Sequence, residues 1–303
     1  MTWFFQQLIN GLALGYIYAL IALGYTMVYG VLRFINFAHS DVMMLGSFAA
    51  FFLAPAVAHV FPPQSYGGAI TVIVLAAVIC AILGMLIEFL AYRPLRNRPK
   101  LTVLITAIGV SLLIEYTCQH KLVFGAETHS FPKLFPERDF QFGGLSLNSN
   151  DVIILVVTTL LLAALWYIVQ HTKTGTAMRA VSFNDRAAAL MGINVNRIIS
   201  FTFGLGSALA AIAGVFYAMR AHGIEPLMGI QPGLRAFIAA VVGGIGNLPG
   251  AALGGLVLGL LETFAGGIPG LSNYRDGIAF AILILILLFK PAGLLGKAQV
   301  EKV

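Results

Sequence analysis

Residues 1–32, 42–87, 152–172 and 198–219 contain no Asp, Glu, Lys or Arg. A helix needs about 20 apolar residues to cross the hydrocarbon core of a bilayer, and every one of these stretches is that long. The whole chain of 303 residues is 59% hydrophobic and only 10% charged, where soluble domains carry about a quarter charged residues. Surface-to-volume scaling leaves a water-soluble chain of this size no way to hide so much apolar surface. The pattern predicts an all-α polytopic membrane protein, residues 1–303 forming one transmembrane domain of eight to ten spans, some of them discontinuous.

The spans are expected near 5–31, 42–60, 67–92, 101–122, 150–171, 199–220, 233–245, 250–267 and 275–289. The net charge of +6 follows the positive-inside rule rather than a nucleic-acid face, because no aromatics interleave with the basic residues. Arg93, Arg96, Arg98 and Lys100 lie together, Lys173, Arg179, Arg186 and Arg197 form a second group, and Lys290, Lys297 and Lys302 close the chain. With these loops inside, the N-terminus is expected outside. No basic n-region of a signal peptide precedes Arg33. Cys80 and Cys118 lie within apolar runs and read as small buried hydrophobes.

Several chemistries lack their signatures. There is no P-loop, and GGIGN at 243–247 neither follows a strand nor completes a dinucleotide fingerprint. No cluster suggests a metal site. His39 and Asp41 are two residues apart, on different faces of a helix, so a nucleophile paired with a base is missing and no catalytic residue is expected.

What remains is transport. The stretch GVLRFINFAHSDVMMLG, 30–46, interrupts two apolar runs with Arg33, Asn36, His39 and Asp41, and a new run begins at Val42. Non-helical backbone at membrane depth is tolerated only beside protein or a water-filled cavity, and discontinuous helices build substrate sites in many transporters. GGIGNLPG at 243–250 has the same character, with Asn247 and a Pro249 suited to start a helix. Asn36, His39, Asp41 and Asn247 are the candidate pathway residues; the alternative is a solvated turn. Glu115 and Glu262 read as interior acids, while Glu88 is expected to reach the interface. Gly11/Gly15, Gly250/Gly254, Gly255/Gly259 and Gly206/Ala210/Gly214 follow small-xxx-small spacing, which predicts close helix packing.

Two connecting segments stand out. The external segment 123–149 is long for a connector and reads either as a docking or lid element or as a disordered loop. The internal segment 172–198 centres on a short amphipathic helix ending at Gly192. Ser182 with Asp185 resembles a capping box, and Asn184 is a competing N-cap. Such a helix suits docking into a groove on a partner or lying on anionic lipid.

RAAALMG, 186–192, has the spacing of the E-A-A-x-x-x-G coupling motif of ABC importer permeases, with Arg186 in place of Glu and no downstream Leu-Pro. Together with YALIALGYTMVYGVLRFINFAHSDVMMLGSF, AYRPLRNRP, LMGINVNRIISFTF, AAVVGGIGNLPGAALGGLVLG and LLFKPAGLLGK…VEKV, it makes the chain resemble, nearly end to end, the LivH-type permeases of bacterial high-affinity branched-chain amino-acid importers. The resemblance implies an inner-membrane subunit, itself no enzyme and without a cofactor. It would pair with a second related permease, two cytoplasmic ATPases that use ATP and Mg, and a periplasmic binding protein delivering Leu, Ile or Val. Coupling would fall on Arg179, Asp185, Arg186, Ala187, Ala188 and Gly192. Permeases for urea and short amides are very similar, and a passive channel is the rival from another class.

Overall fold

The computed structural model describes residues 2–96, 98–270 and 272–296. Among these, eight helices are long and apolar enough to cross a membrane and one shorter apolar helix accompanies them. In chain order the helices are α1 (Thr2–Leu32), α2 (His39–Ala58), α3 (Tyr66–Ile87), α4 (Lys100–Gln119), α5 (Ser149–His171), α6 (Lys173–Phe183), α7 (Asp185–Leu190), α8 (Val195–Ala221), α9 (Ile230–Gly243), α10 (Leu248–Gly267) and α11 (Arg275–Phe289). All nine expected segments are helical with ends moved by a few residues, the one expected at 233–245 being the shorter helix α9. The largest difference of kind lies at α2, which starts at His39 rather than Val42, so His39 and Asp41 belong to its first turn.

Polar side chains write several of the helix starts. Ser65 accepts a hydrogen bond from the Gly68 amide, Asn148 from Asn150, Thr172 from Gly175, Asn194 from Arg197 and Asn247 from Gly250. Each satisfies one of the amides that a helix leaves without an internal partner. Pro249 sits in the first turn of α10, where its missing N–H costs nothing. α3 runs on through a π-turn at Glu88–Tyr92 and a 3-10 turn at Arg93–Leu95 into the basic loop.

Burial sorts the helices into an inner set and an outer set. Every residue from Ile17 to Leu23 of α1 is fully buried, so this helix has no lipid face over two turns. α8 and α10 pack against it, and α2 and α9 close the inner group. α3, α4, α5 and α11 expose Ile82, Leu86, Leu113, Leu160 and Leu288, side chains suited to lipid tails. The predicted small-residue seams are the inner contacts. A Cβ added at Gly15 would meet the Leu256 Cα at 2.9 Å, and one at Gly255 would meet the Ala19 nitrogen at 2.5 Å. Gly214 faces the Met43 carbonyl and Gly46 the Ala211 backbone.

The segment 123–149 contributes three short strands. β1 (His129–Ser130) pairs antiparallel with β4 (Gly223–Ile224), and β2 (Asp139–Phe142) forms a hairpin with β3 (Leu145–Asn148). Phe131, Leu134 and Phe135, within the same segment, are buried. Gln6 ties the hairpin to α1 by accepting from the Ser146 amide and donating to its carbonyl, both at 2.9 Å.

Replacing Gly255 by Leu forces side-chain atoms into the backbone of α1, an overpacking cost of about 1–3 kcal/mol. The expected result is a lower melting temperature in detergent, while Gly109→Leu on α4, where nothing lies within 4 Å, leaves it unchanged.

Candidate functional site

At the basic end, α6 and α7 form one bent unit. Asn184 ends α6 and caps α7, its Oδ1 accepting from the Ala187 amide at 3.0 Å. The capping box expected from Ser182 and Asp185 is not formed. The Ser182 hydroxyl instead donates to the Gly30 carbonyl at 2.5 Å, and the Asp185 carboxylate accepts from the Arg186 amide at 2.8 Å. The expected single helix is therefore a pair, α6 having been hidden by a Thr- and Gly-containing sequence of modest helix propensity. Gly192 has φ +83, a left-handed conformation suited to glycine, and lets Ile193 donate back to the Ala188 carbonyl at 3.1 Å.

This unit has one face docked and one free. Ala188 is buried with Val181, Ile199 and Phe203, whereas Phe183, Leu190 and Met191 are 88%, 89% and 83% exposed. Three large apolar side chains at the tip of a polar segment are the kind of exposed patch that a partner or a lipid surface covers. Arg179 donates to the Val169 carbonyl at the end of α5 and to Thr176. Arg186 lines, with Arg33, Arg93, Arg96, Arg98 and Lys100, a cavity of about 730 Å³.

The turn between α1 and α2 lies directly above. Arg33 has φ +55, rare for a residue with a side chain, and its Nη2 donates to the Ser182 carbonyl at 3.0 Å. Asn36 accepts from the Tyr92 hydroxyl at 2.6 Å. His39 is fully buried, with its ring 4.7 Å from that of Tyr25 and directly against Gly24. Gly24 lies eight residues, about 12 Å at 1.5 Å per residue, inside the end of α1. The chain thus folds back into the bundle before α2 begins. Asp41 accepts from the Ser111 hydroxyl of α4 at 2.5 Å.

Asn36, His39 and Asp41 are brought into one neighbourhood. Asn247 is not among them: its side chain caps α10 and donates to the Leu295 carbonyl at 2.6 Å. Its loop still reaches the end of α1, because a Cβ at Gly30 would lie 3.9 Å from Gly246. Glu88 departs from the interfacial position expected of it. It is fully buried, paired with Arg96 and accepting from the Ser200 hydroxyl.

The family model described as branched-chain amino acid transport system / permease component matches residues 7–287. The chain is 41% identical to the high-affinity branched-chain amino acid transport system permease protein BraD of Pseudomonas aeruginosa, over 99% of this chain and 98% of that one. It is 40% identical to LivH of Escherichia coli over the same shares. The chain belongs to this permease family. The ribose import permease RbsC of Haemophilus influenzae is 34% identical, but over only 43% of the chain and 42% of its own length. No solved structure matches.

The permease also holds a charged network of which Glu262 is the part legible in the sequence. Arg235, on α9, donates to Glu262 at 2.7 Å, to Asp276 at 2.6 Å and to the Tyr18 hydroxyl at 3.0 Å. The Tyr18 hydroxyl in turn donates to Glu262 at 2.7 Å. Glu262 is the interior acid expected from the sequence; the matching signal is an isolated Arg235 in an apolar run, since charges at such depth need partners.

Arg96→Ala leaves Glu88 buried without its counterion, a loss of about 3–5 kcal/mol. A large fall in thermal stability is expected, and replacing both residues by Met recovers most of it.

Proposed function

We propose that this permease is one of the two different membrane subunits of a bacterial inner-membrane ABC importer for branched-chain amino acids. The observation that carries this reading is the match, at 40–41% identity across 98–99% of both chains, to relatives named for branched-chain amino acid transport. The match to the ribose permease covers less than half of each chain, which favours the amino-acid cargo. Two ATPases on the basic, cytoplasmic side supply the drive by hydrolysing ATP with Mg. A periplasmic binding protein delivers Leu, Ile or Val to the opposite end, where the segment 123–149 provides the docking platform.

In this reading the α6–α7 unit is the coupling element. Phe183, Leu190 and Met191 enter a groove on an ATPase, with Arg179, Asp185, Arg186, Ala187, Ala188 and Gly192 forming the handle. An amphipathic helix seated in a groove is a common recognition mode. The handle is fastened to the transport path by two contacts, Arg33 to the Ser182 carbonyl and the Ser182 hydroxyl to the Gly30 carbonyl. Displacement of α6 therefore pulls on the turn at 33–38. Asn36, His39 and Asp41, held here by Tyr92, Tyr25 and Ser111, are released when that turn moves, and the inward path opens beside them. Asn247 anchors the second interruption next to the same helix end.

The test is uptake of labelled leucine by the assembled transporter in proteoliposomes, with urea as the competing cargo. Leucine uptake that requires ATP and the binding protein is expected. Uptake of urea alone would move the cargo to short amides. Deleting 184–192 is expected to abolish ATP-driven uptake at normal membrane insertion, whereas a passive channel would keep conducting.

A separate measurement addresses the turn: Asn36→Ala and His39→Ala should each slow uptake severalfold at equal expression. Wild-type rates in both would reduce residues 33–41 to a connector.

A further inference from the structure

A cavity of about 410 Å³ lies among α1, α8, α9, α10 and the start of α11, within the range of about 300–1,000 Å³ typical of small-molecule sites. Its lining runs from Gln7 and Gly267, near the ends of α1 and α10 away from the basic loops, inward to Tyr18 and Arg235. Tyr18 is sixteen residues from Thr2, about 24 Å at 1.5 Å per residue, so the cavity floor lies near the middle of α1. Transporter substrate sites cluster at that depth.

The floor is the network of Tyr18, Glu262 and Arg235. Arg275 stands over it, with its Nε 4.0 Å from the Glu262 carboxylate and its side chain half exposed. Among the described residues the Arg275 side chain forms no hydrogen bond, and its ion-pair contact there is the long one to Glu262. The lining also includes Arg220, held by Asp151 at 2.6 Å.

Each arginine lining this space has an acid partner. Arg220, Arg235 and Arg275 stand against Asp151, Glu262 and Asp276. A lone cation or anion entering among these paired groups adds a charge that has no partner, which is costly where the partners are buried. A ligand bearing one charge of each sign adds none and meets a counter-charge at each end. Leu14, Ala221 and the side-chain-free Gly266 add apolar lining.

We propose that this cavity is a binding station for a zwitterionic amino acid with an apolar side chain. Arg275 takes the carboxylate and Glu262 the ammonium, while Arg235 and Tyr18 are positioning residues that hold Glu262. This rests on the amino-acid cargo proposed above.

Thr263 lines the same cavity, and the two native cysteines are buried. Thr263→Cys in the assembled transporter is labelled with a membrane-impermeant methanethiosulfonate reagent, without the binding protein, and the parent transporter sets the background. Leucine at tens of millimolar is expected to slow labelling severalfold. 4-Methylpentanoate, which lacks the ammonium, and isopentylamine, which lacks the carboxylate, should not. Adding Arg275→Gln should remove the protection by leucine.

Equal protection by the two analogues, absence of protection by leucine, or absence of labelling above background overturns the proposal. A wild-type transporter that imports leucine while the site gains no protection overturns the station alone. One that imports no leucine overturns the cargo reading and this site with it.

Discussion

Direct contact of backbone with backbone is the constraint on which the rest of this permease depends. Lipid tails are as apolar as leucine, so burying apolar side chains gives helices little reason to associate in a bilayer. Attraction must come from dispersion between closely approaching atoms, which is small per pair and large in sum. Gly15 against Leu256, Gly255 against Ala19, Gly214 against Met43 and Gly254 against Ala239 supply that approach. The seams fix α1, α2, α8, α9 and α10 as one inner group. They also leave α3, α4, α5 and α11 free to turn broad apolar faces outward without compromising the core.

The same logic explains what was legible in the sequence. Charge-free runs and capping residues are local signals, so the spans were placed to within a few residues. Small-xxx-small spacing identified the contact faces, although not which helix each would meet. The caps were read less well where two candidates stood close together: Ser182 has a nearby alternative acceptor in Gly30, and Asn184 took the cap. α6 and the short strand pairs were missed because their stability comes from what they dock against. β1 meets β4 across more than ninety residues. The bonds from Tyr92 to Asn36 and from Ser111 to Asp41 likewise join side chains 56 and 70 residues apart, and no periodicity in one segment carries that information.

Charge is distributed according to what can neutralise it. The loop arginines at the basic end sit around a wide cavity, where water or an acidic partner can solvate them. Deeper in the bundle Arg235 is matched by Glu262 on another helix, and at the end of α3 the buried Glu88 is matched by Arg96 eight residues on, because an unpaired buried ion would cost several kcal/mol (on the order of 3–5). Arg235 is engaged by Glu262, Asp276 and Tyr18 together, so three separate elements must converge for it to be accommodated. Such a group reports on the relative placement of α1, α9, α10 and α11, and a displacement of any one of them exposes a charge.

The end of α1 shows how a helix terminus becomes a mechanical junction. A helix leaves its last carbonyls without internal partners, and inside a membrane protein they must find others. Here the Tyr29 carbonyl accepts from the Arg33 amide at 2.8 Å, and the Gly30 carbonyl accepts from the Ser182 hydroxyl of α6. The requirement to keep those bonds means that α6 cannot slide away while α1 stays fixed unless a carbonyl is stranded. Gly246, from the loop before α10, lies against the same Gly30. Both interruptions of the bundle and the α6–α7 unit therefore meet at one helix end. In an importer driven from the basic side, the need to satisfy a few backbone oxygens there is what would make a surface motion move the interior.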